Sequence, residues 1–336
     1  MILIFIRRKN GNDYSAVSIL SEYKDKKRIV NIVSKLSSAR EFLLGCSGWN
    51  YAETPDKGGW TRVFYPDKDT KRLRYYSQFF NTVEMDSTFY YKFYSNMTKG
   101  TFIGMVRATP DKFQFSVKVP ETITHEKRLD IRRGAITDFE EFLDKISPLK
   151  TANKLGAILI QLPPSFTVNN FKNVQGFLDR LPRANNNNNN NNGYHYAVEF
   201  RHPSWKTEGP WEMLKYYNIA AVITDSPAKE NLQFLSDVII TSADHSFVRF
   251  HGRNTKGHYW YNYLYSKKEL EPWVEKVNQI REQTKVLRVY FNNHYGGKAV
   301  VNALQFKEMT SNTPLPENER KVLEHAETYL KTSRIL

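Results

Sequence analysis

Ten ionisable side chains sit at or just beyond the ends of short apolar runs. They are the carboxylates Glu84, Asp86 and Glu199, the cations Lys118, Arg201, Arg249 and Arg253, and the histidines His125, His251 and His294. Arginine and lysine around a pocket suit a phosphate or carboxylate ligand, because a guanidinium grips an oxyanion through two parallel N–H bonds and fixes its orientation. Glu84 and Glu199 come from different runs and are suited to work as a general acid and base, while His251 can relay a proton near neutral pH. These three are the expected catalytic groups. The expected substrate contacts are Trp49, Asp86, Lys118, His125, Gln161, Arg201, Arg249, Arg253, Asn292, Asn293 and His294. A divalent metal is compatible with the His, Glu and Asp donors, which zinc or manganese accepts. No HxH or HExxH spacing occurs, and the nearby Arg and Lys repel a cation. No cofactor is specified.

The elements that must position these groups are eight apolar runs rich in β-branched and aromatic residues. They read FLLGC (42–46), TVEMD (82–86), FQFSVKV (113–119), AILIQL (157–162), HYAVEF (195–200), AAVITD (220–225), SFVRFH (246–251) and LRVYFNN (287–293). Amphipathic stretches at 71–80, 137–146, 171–181, 211–217 and 267–283 separate them. Alternating strand and helix argue for right-handed βαβ units around a parallel sheet. Eight units in about 290 residues match a TIM (β/α)8 barrel. The nucleotide-binding patterns GxGxxG and GxxxxGK[ST] are absent, which argues against a doubly wound sheet.

Side chains alternate across a strand, so each run has two faces. One face is apolar throughout, suited to lie under helices. The other collects Glu84 with Asp86, Ser116 with Lys118, Leu159 with Gln161, and Glu199 with Arg201. On the last two runs it collects Arg249, His251 and Arg253, and Tyr290, Asn292 and His294. Parallel strands covered on both faces are expected to be apolar throughout, so the charges call for a cause. One cause is a ligand site at the C-terminal mouth of the barrel. The competing one is an internal salt-bridge network that fills the barrel. Buried ions each cost several kcal/mol before pairing recovers it, which favours the ligand site. The predicted anion position lies between the loops after His251 and Asn293, where Gly296 and Gly297 offer backbone N–H groups.

Aromatic residues follow the same run ends: Trp49, Tyr51, Trp60, Phe64, Tyr65, Phe89, Tyr90, Trp205 and 259–261. Such rings stack on sugars or unpaired bases. Trp49 is the favoured contact, since it follows two small residues directly after the first run.

The 336 residues carry 49 Lys and Arg against 35 Asp and Glu, a net charge of +14. Residues 1–40 hold nine of the cations and three of the anions, so +6 of the charge lies in a basic N-terminal extension. Such an arm suits nucleic acid or acidic lipid, although a solvated extension explains it as simply. Its pattern from Tyr14 to Leu36 fits a strand or a helix. The longest apolar run, MILIFI, falls well short of the roughly 20 residues that span a membrane. Its basic flank follows it, the reverse of a signal peptide. A cytoplasmic protein with no membrane partner is expected. One cysteine, Cys46, leaves no internal disulfide. Eight asparagines at 185–192 have no apolar face; they fall in a helix-to-strand loop, on the barrel end opposite the site, and are expected to be irrelevant to chemistry.

The motifs GCSGWNY (45–51), FYP (64–66), VEMDSTFY (83–90), FSVKVPETITH (115–125), QLPPSF (161–166), VEFRHPSW (198–205), VRFHGR (248–253) and FNNHYGGKAVVNA (291–303) together resemble the YecE-like family, domain of unknown function family 72. The resemblance covers roughly residues 42–308 and implies a TIM barrel, but no established reaction. The expected organisation is an extension over 1–40, a barrel over 41–310 and a C-terminal helical segment over 311–336. The expected function is hydrolase-like chemistry on a small anionic or phosphodiester substrate. A glycosidase-like hydrolase using Glu84 and Glu199 is the first alternative, its carboxylates about 5–5.5 or 6.5–9.5 Å apart. A non-catalytic nucleic-acid-binding barrel is the second.

Overall fold

A computed structural model describes residues 5–7, 14–16, 40–182, 193–227, 238–256, 259–311 and 313–332. The chain divides into two compact units, Met1–Ala39 and Arg40–Leu336. In the first, strand β1 (Phe5–Arg7) pairs antiparallel with β2 (Tyr14–Ala16), Phe5 opposite Ala16. The rest of the basic extension and the asparagine run 185–192 lie outside the described residues.

The second unit is built on eight parallel strands: β3 (Glu41–Cys46), β4 (Thr82–Met85), β5 (Gln114–Lys118), β6 (Leu155–Gln161), β7 (His195–Glu199), β8 (Ala220–Asp225), β9 (His245–Phe250) and β10 (Val286–Phe291). Their order is β3-β10-β9-β8-β7-β6-β5-β4. This is a nearly closed α/β barrel of the TIM type, and each strand falls within two residues of its predicted run. The helices are α1 (Arg72–Tyr76), α2 (Tyr91–Tyr94), α3 (Lys99–Arg107), α4 (Ala135–Thr151), α5 (Phe171–Leu178), α6 (Glu208–Tyr216), α7 (Lys267–Gln283), α8 (Lys298–Thr310) and α9 (Glu317–Thr332). Among the described residues no helix is long and apolar enough to cross a membrane. Helix α9 buries Leu323, Ala326 and Leu330 and packs on α8, within the same unit as the barrel.

Strand alternation partitions the apolar residues into two cores. The outward set, such as Val83, Phe115, Ile158, Val198, Val248 and Phe291, joins the helices in one large cluster. The inward set forms a second, small cluster of Ala157, Leu159, Ala197, Ala220, Val222, Phe247 and Tyr290 inside the barrel. This inner plug lies below the charged strand ends, and the Tyr290 hydroxyl in it bonds Thr82 Oγ1 and Ser116 Oγ.

The ring closes at the β3–β4 seam, largely through side chains. Ser47 pairs with Glu84 in a single parallel bridge, and the Gly48 N–H reaches the Glu84 carbonyl at 2.8 Å. Below that, the Tyr76 hydroxyl accepts from the Cys46 N–H at 2.7 Å and donates to the Thr82 carbonyl at 3.0 Å. Asn81 does the same one step lower, accepting from the Leu44 N–H and donating to the Phe42 carbonyl. Gly45 makes this approach feasible, because a Cβ there would lie 2.1 Å from the Thr82 carbonyl oxygen. Replacing Tyr76 by Phe leaves a buried N–H and a buried C=O without their partner, each costing about 1–3 kcal/mol. Chemical denaturation of Tyr76→Phe is expected to show a loss in that range; an unchanged midpoint would show that the seam does not depend on the hydroxyl.

Candidate active site

Three strands converge on one guanidinium. Arg249, near the end of β9, donates from Nε to Glu84 Oε2 at 2.8 Å and from Nη2 to Glu84 Oε1 at 2.7 Å. Its Nη1 donates to Glu199 Oε2 at 2.5 Å. The other oxygen of Glu199 accepts from Arg201 Nε at 2.7 Å. Glu84 and Glu199 are fully buried and Arg249 is 2 % exposed. Gln161 Oε1 stands 3.5 Å from Arg249 Nη1, a marginal contact.

His251 completes this lattice as a neutral ring. Its Nδ1 is 2.9 Å from the Asn292 amide nitrogen, which can only donate, so the ring proton belongs on Nε2, 3.4 Å from Glu199 Oε1. Burial and the Arg249 charge push His251 down to about 4, in keeping with that tautomer. Burial alone raises Glu199, but Arg249, Arg201 and His251 outweigh it and hold the carboxyl well below its ordinary range. Glu84 is raised by burial, which Arg249 only partly offsets. The internal-network reading is therefore correct for these residues: every oxygen of both glutamates is engaged by arginine. Glu84 and Glu199 flank a guanidinium rather than an open cleft, which removes the glycosidase-like arrangement of two facing carboxylates.

Above the lattice the pairing stops. Lys118, the last residue of β5, is 7 % exposed, and its ammonium has no hydrogen bond or ion pair among the described residues. It lies over the Phe89 ring, 3.5 Å from the centroid. Burial, then the charges of Arg201 and Arg249, lower Lys118 from its ordinary 10.5 to about 7. Asp86, just past β4, is raised by burial although Lys118 and Arg249 oppose this. His125 packs edge-on against Phe89, accepts or donates at Thr124 Oγ1 over 2.9 Å, and is lowered to about 4 by burial and by Lys118. His294 forms a wall, its ring stacked between Tyr51 at 4.7 Å and Tyr261 at 4.6 Å. Burial lowers it to about 4. The wall is held by Trp60 Nε1 donating to the His294 carbonyl at 2.7 Å.

Four expectations are corrected. Arg253 leaves the mouth: it donates to both oxygens of Asp225, at 2.8 and 2.5 Å, and also approaches Glu269. Gly252, at φ +88°, ends the strand alternation, so parity no longer governs the next side chain. Asn293 faces the helices, donating to the Tyr263 carbonyl and to Asn302. Trp49 packs edge-on at 6.2 Å against Phe115, on the outer face of β5. The amides of Gly296 and Gly297 are engaged by the Gly58 and His294 carbonyls, so they make no anion nest. Sequence reasoning underrated Phe89, Tyr51 and Tyr261; their presence in a list of loop aromatics was the only signal. Among the described residues no three His, Cys, Asp or Glu side chains gather as a metal site.

Removing one member of a buried charge lattice leaves the others unpaired, a loss of roughly 3–5 kcal/mol. Arg249→Met is expected to destabilise the fold by that amount in urea; a change below about 1 kcal/mol would mean that the lattice is not structural. Lys118→Met should do the opposite, because no partner is lost. Between pH 7 and 10.5 the unfolded chain holds the Lys118 proton that the folded chain releases, so wild-type stability rises with pH there. The variant is thus expected to exceed the wild type most below pH 7 and to lose that advantage towards pH 10. A pH-independent difference would refute the shifted amine.

Comparison with known proteins agrees with this architecture. The family model described as protein of unknown function DUF72 matches residues 43–323. The UPF0759 protein YunF of Bacillus subtilis (strain 168) is 28% identical over 286 residues, covering 79% of this chain and 93% of its own length. A crystal structure of a DUF72 family protein from Thermotoga maritima MSB8 superposes with a TM-score of 0.64 at 32% identity, covering 80% of this chain and 98% of that one. One from Enterococcus faecalis V583 reaches 0.60 at 24% identity over 80% and 97%, a likeness of fold alone. With most of the barrel matched from its first strand to its last, the chain belongs to the DUF72 family.

Proposed function

We propose that the protein is an enzyme acting on a small anionic, phosphate-containing substrate bound at the C-terminal mouth of the barrel. The observation that supports this reading is the Lys118 ammonium, buried and without an ion pair above a lattice whose own charges are satisfied. An anion there accepts from Nζ and offsets the repulsion that Lys118 feels from Arg201 and Arg249. Arg201, at the rim of the lattice and 9 % exposed, is the second cation of the anion grip. Asp86, raised by burial, and His125, a neutral base near pH 7, are the groups suited to move protons. Tyr51, His294 and Tyr261 supply a flat wall against which the body of the substrate rests.

Glu84, Glu199 and His251 then position Arg249 and Arg201 rather than exchange protons with substrate. The nucleic-acid-binding alternative has less support, because the cations of the mouth are deep and suit a small ligand better than a duplex.

Sulfate tests the reading, since its charge is constant across the relevant range. Calorimetry is expected to show binding with proton uptake, weakening as pH rises through 7 while Lys118 loses its proton. Lys118→Met is expected to weaken sulfate at least tenfold, about 1.4 kcal/mol. Equal affinity in both proteins, or none in either, would overturn the anionic mouth.

A further inference from the structure

We infer that Lys118 is an amine nucleophile, which forms an iminium with the carbonyl carbon of a small aldehyde or ketone carrying a phosphate or carboxylate group. The inference rests on the anionic mouth proposed above and adds the reacting functional group. Two other lysines are equally buried and show the ordinary solution. Lys154 Nζ donates to the Val106 and Thr109 carbonyls at 2.8 Å and to Thr109 Oγ1 at 3.2 Å. Lys298 Nζ donates to Asn262 Oδ1 at 2.7 Å. Lys118 has no such bonds. Its Nζ rests on an aromatic face, with Arg201 and Arg249 as like charges, and the carboxylates of Glu84 and Glu199 already committed to those arginines. Asp86 and His125 are the other titratable groups facing it.

An anion anchor works best as a permanent cation, which Arg supplies; a lysine held where its charge is disfavoured is suited to bond formation. A lowered pKa near 7 keeps about half of the amine in its free form at neutral pH.

The step balances without a redox partner. The Nζ lone pair forms the C–N bond while the carbonyl π pair moves to oxygen, which takes a proton from the Asp86 carboxyl. The nitrogen then releases a proton to the Asp86 carboxylate. The C–O bond breaks as the hydroxyl takes a second proton from the Asp86 carboxyl and leaves as water, and the nitrogen lone pair closes the iminium. In sum, the neutral amine, the carbonyl and the protonated Asp86 carboxyl give the iminium, water and the Asp86 carboxylate. The product carries one positive charge beside Arg201, where the substrate's anionic group is held.

Pyridoxal 5′-phosphate, with pyridoxal as its phosphate-free counterpart, is the probe. Borohydride reduction followed by peptide mapping is expected to show Lys118 labelled on the order of a hundredfold faster at pH 7 than exposed Lys172. The rate should have its midpoint near pH 7, sulfate should protect, and pyridoxal should react more slowly. Lys154 is expected to stay unlabelled. Lys118→Met is expected to lose that label alone, in a protein at least as stable as the wild type. Sulfate binding without faster labelling of Lys118 overturns the nucleophile and leaves the anionic mouth standing. Fast labelling that is equal for both aldehydes and unprotected by sulfate overturns the anionic substrate class. Neither binding nor labelling overturns both.

Discussion

One guanidinium organises the interior of this barrel. Arg249 is 2 % exposed inside the barrel, and an ion in that position is tolerated only with full pairing. Glu84 supplies two oxygens from β4 and Glu199 supplies one from β7, so three strands are tied to a single group. The remaining Glu199 oxygen recruits Arg201, and His251 and Asn292 close the set from β9 and β10. Each addition satisfies a polar atom that the previous one left exposed to low dielectric. The lattice is locally neutral once His251 is uncharged, which is why burial, not a carboxylate, dominates the environment of the next residue up.

That residue is Lys118. Nothing in the lattice has an oxygen to spare for it, and Phe89 occupies one side of its ammonium. The mouth thus has two storeys with different physics. Below, opposite charges cancel and fix geometry. Above, Lys118, Asp86 and His125 are all pushed towards their uncharged forms, and Lys118, lowered to about 7, gains and loses its proton near neutral pH.

The walls depend on the same economy of hydrogen bonds. Loop 47–66 and loop 292–297 are stitched together by Trp60 to the His294 carbonyl, by the Gly296 N–H to Gly58, and by the Tyr295 hydroxyl to Asp56. This stitching consumes the glycine amides that the sequence offered as an anion nest. It also clamps the His294 ring between two tyrosines. The outward turn of Arg253 has a comparable origin: Asp225, on the helix-facing side of β8, also accepts from Tyr265 and Trp273, and a carboxylate so placed draws a cation.

The eight strands, their parallel order and the inward parity of Glu84, Lys118, Glu199, Arg249 and His251 were determined by the sequence itself. Period-two alternation and the spacing of apolar runs are local properties, and a barrel offers one consistent way to satisfy all eight. Parity failed where local periodicity ended: at Gly252, whose positive φ released Arg253, and past Phe291, where Asn293 found Asn302 on a helix. The sequence also favoured Trp49 over Tyr51 because two small residues precede it, and packing reversed that order by setting Trp49 against Phe115 and Tyr51 against His294. Above all, composition counts Lys118, Arg201 and Arg249 as three equivalent cations. Which of them is neutralised depends on contacts between residues more than a hundred positions apart, such as Glu84 with Arg249. Only the closed barrel brings those charges within hydrogen-bonding distance, and only then does one amine remain without a partner.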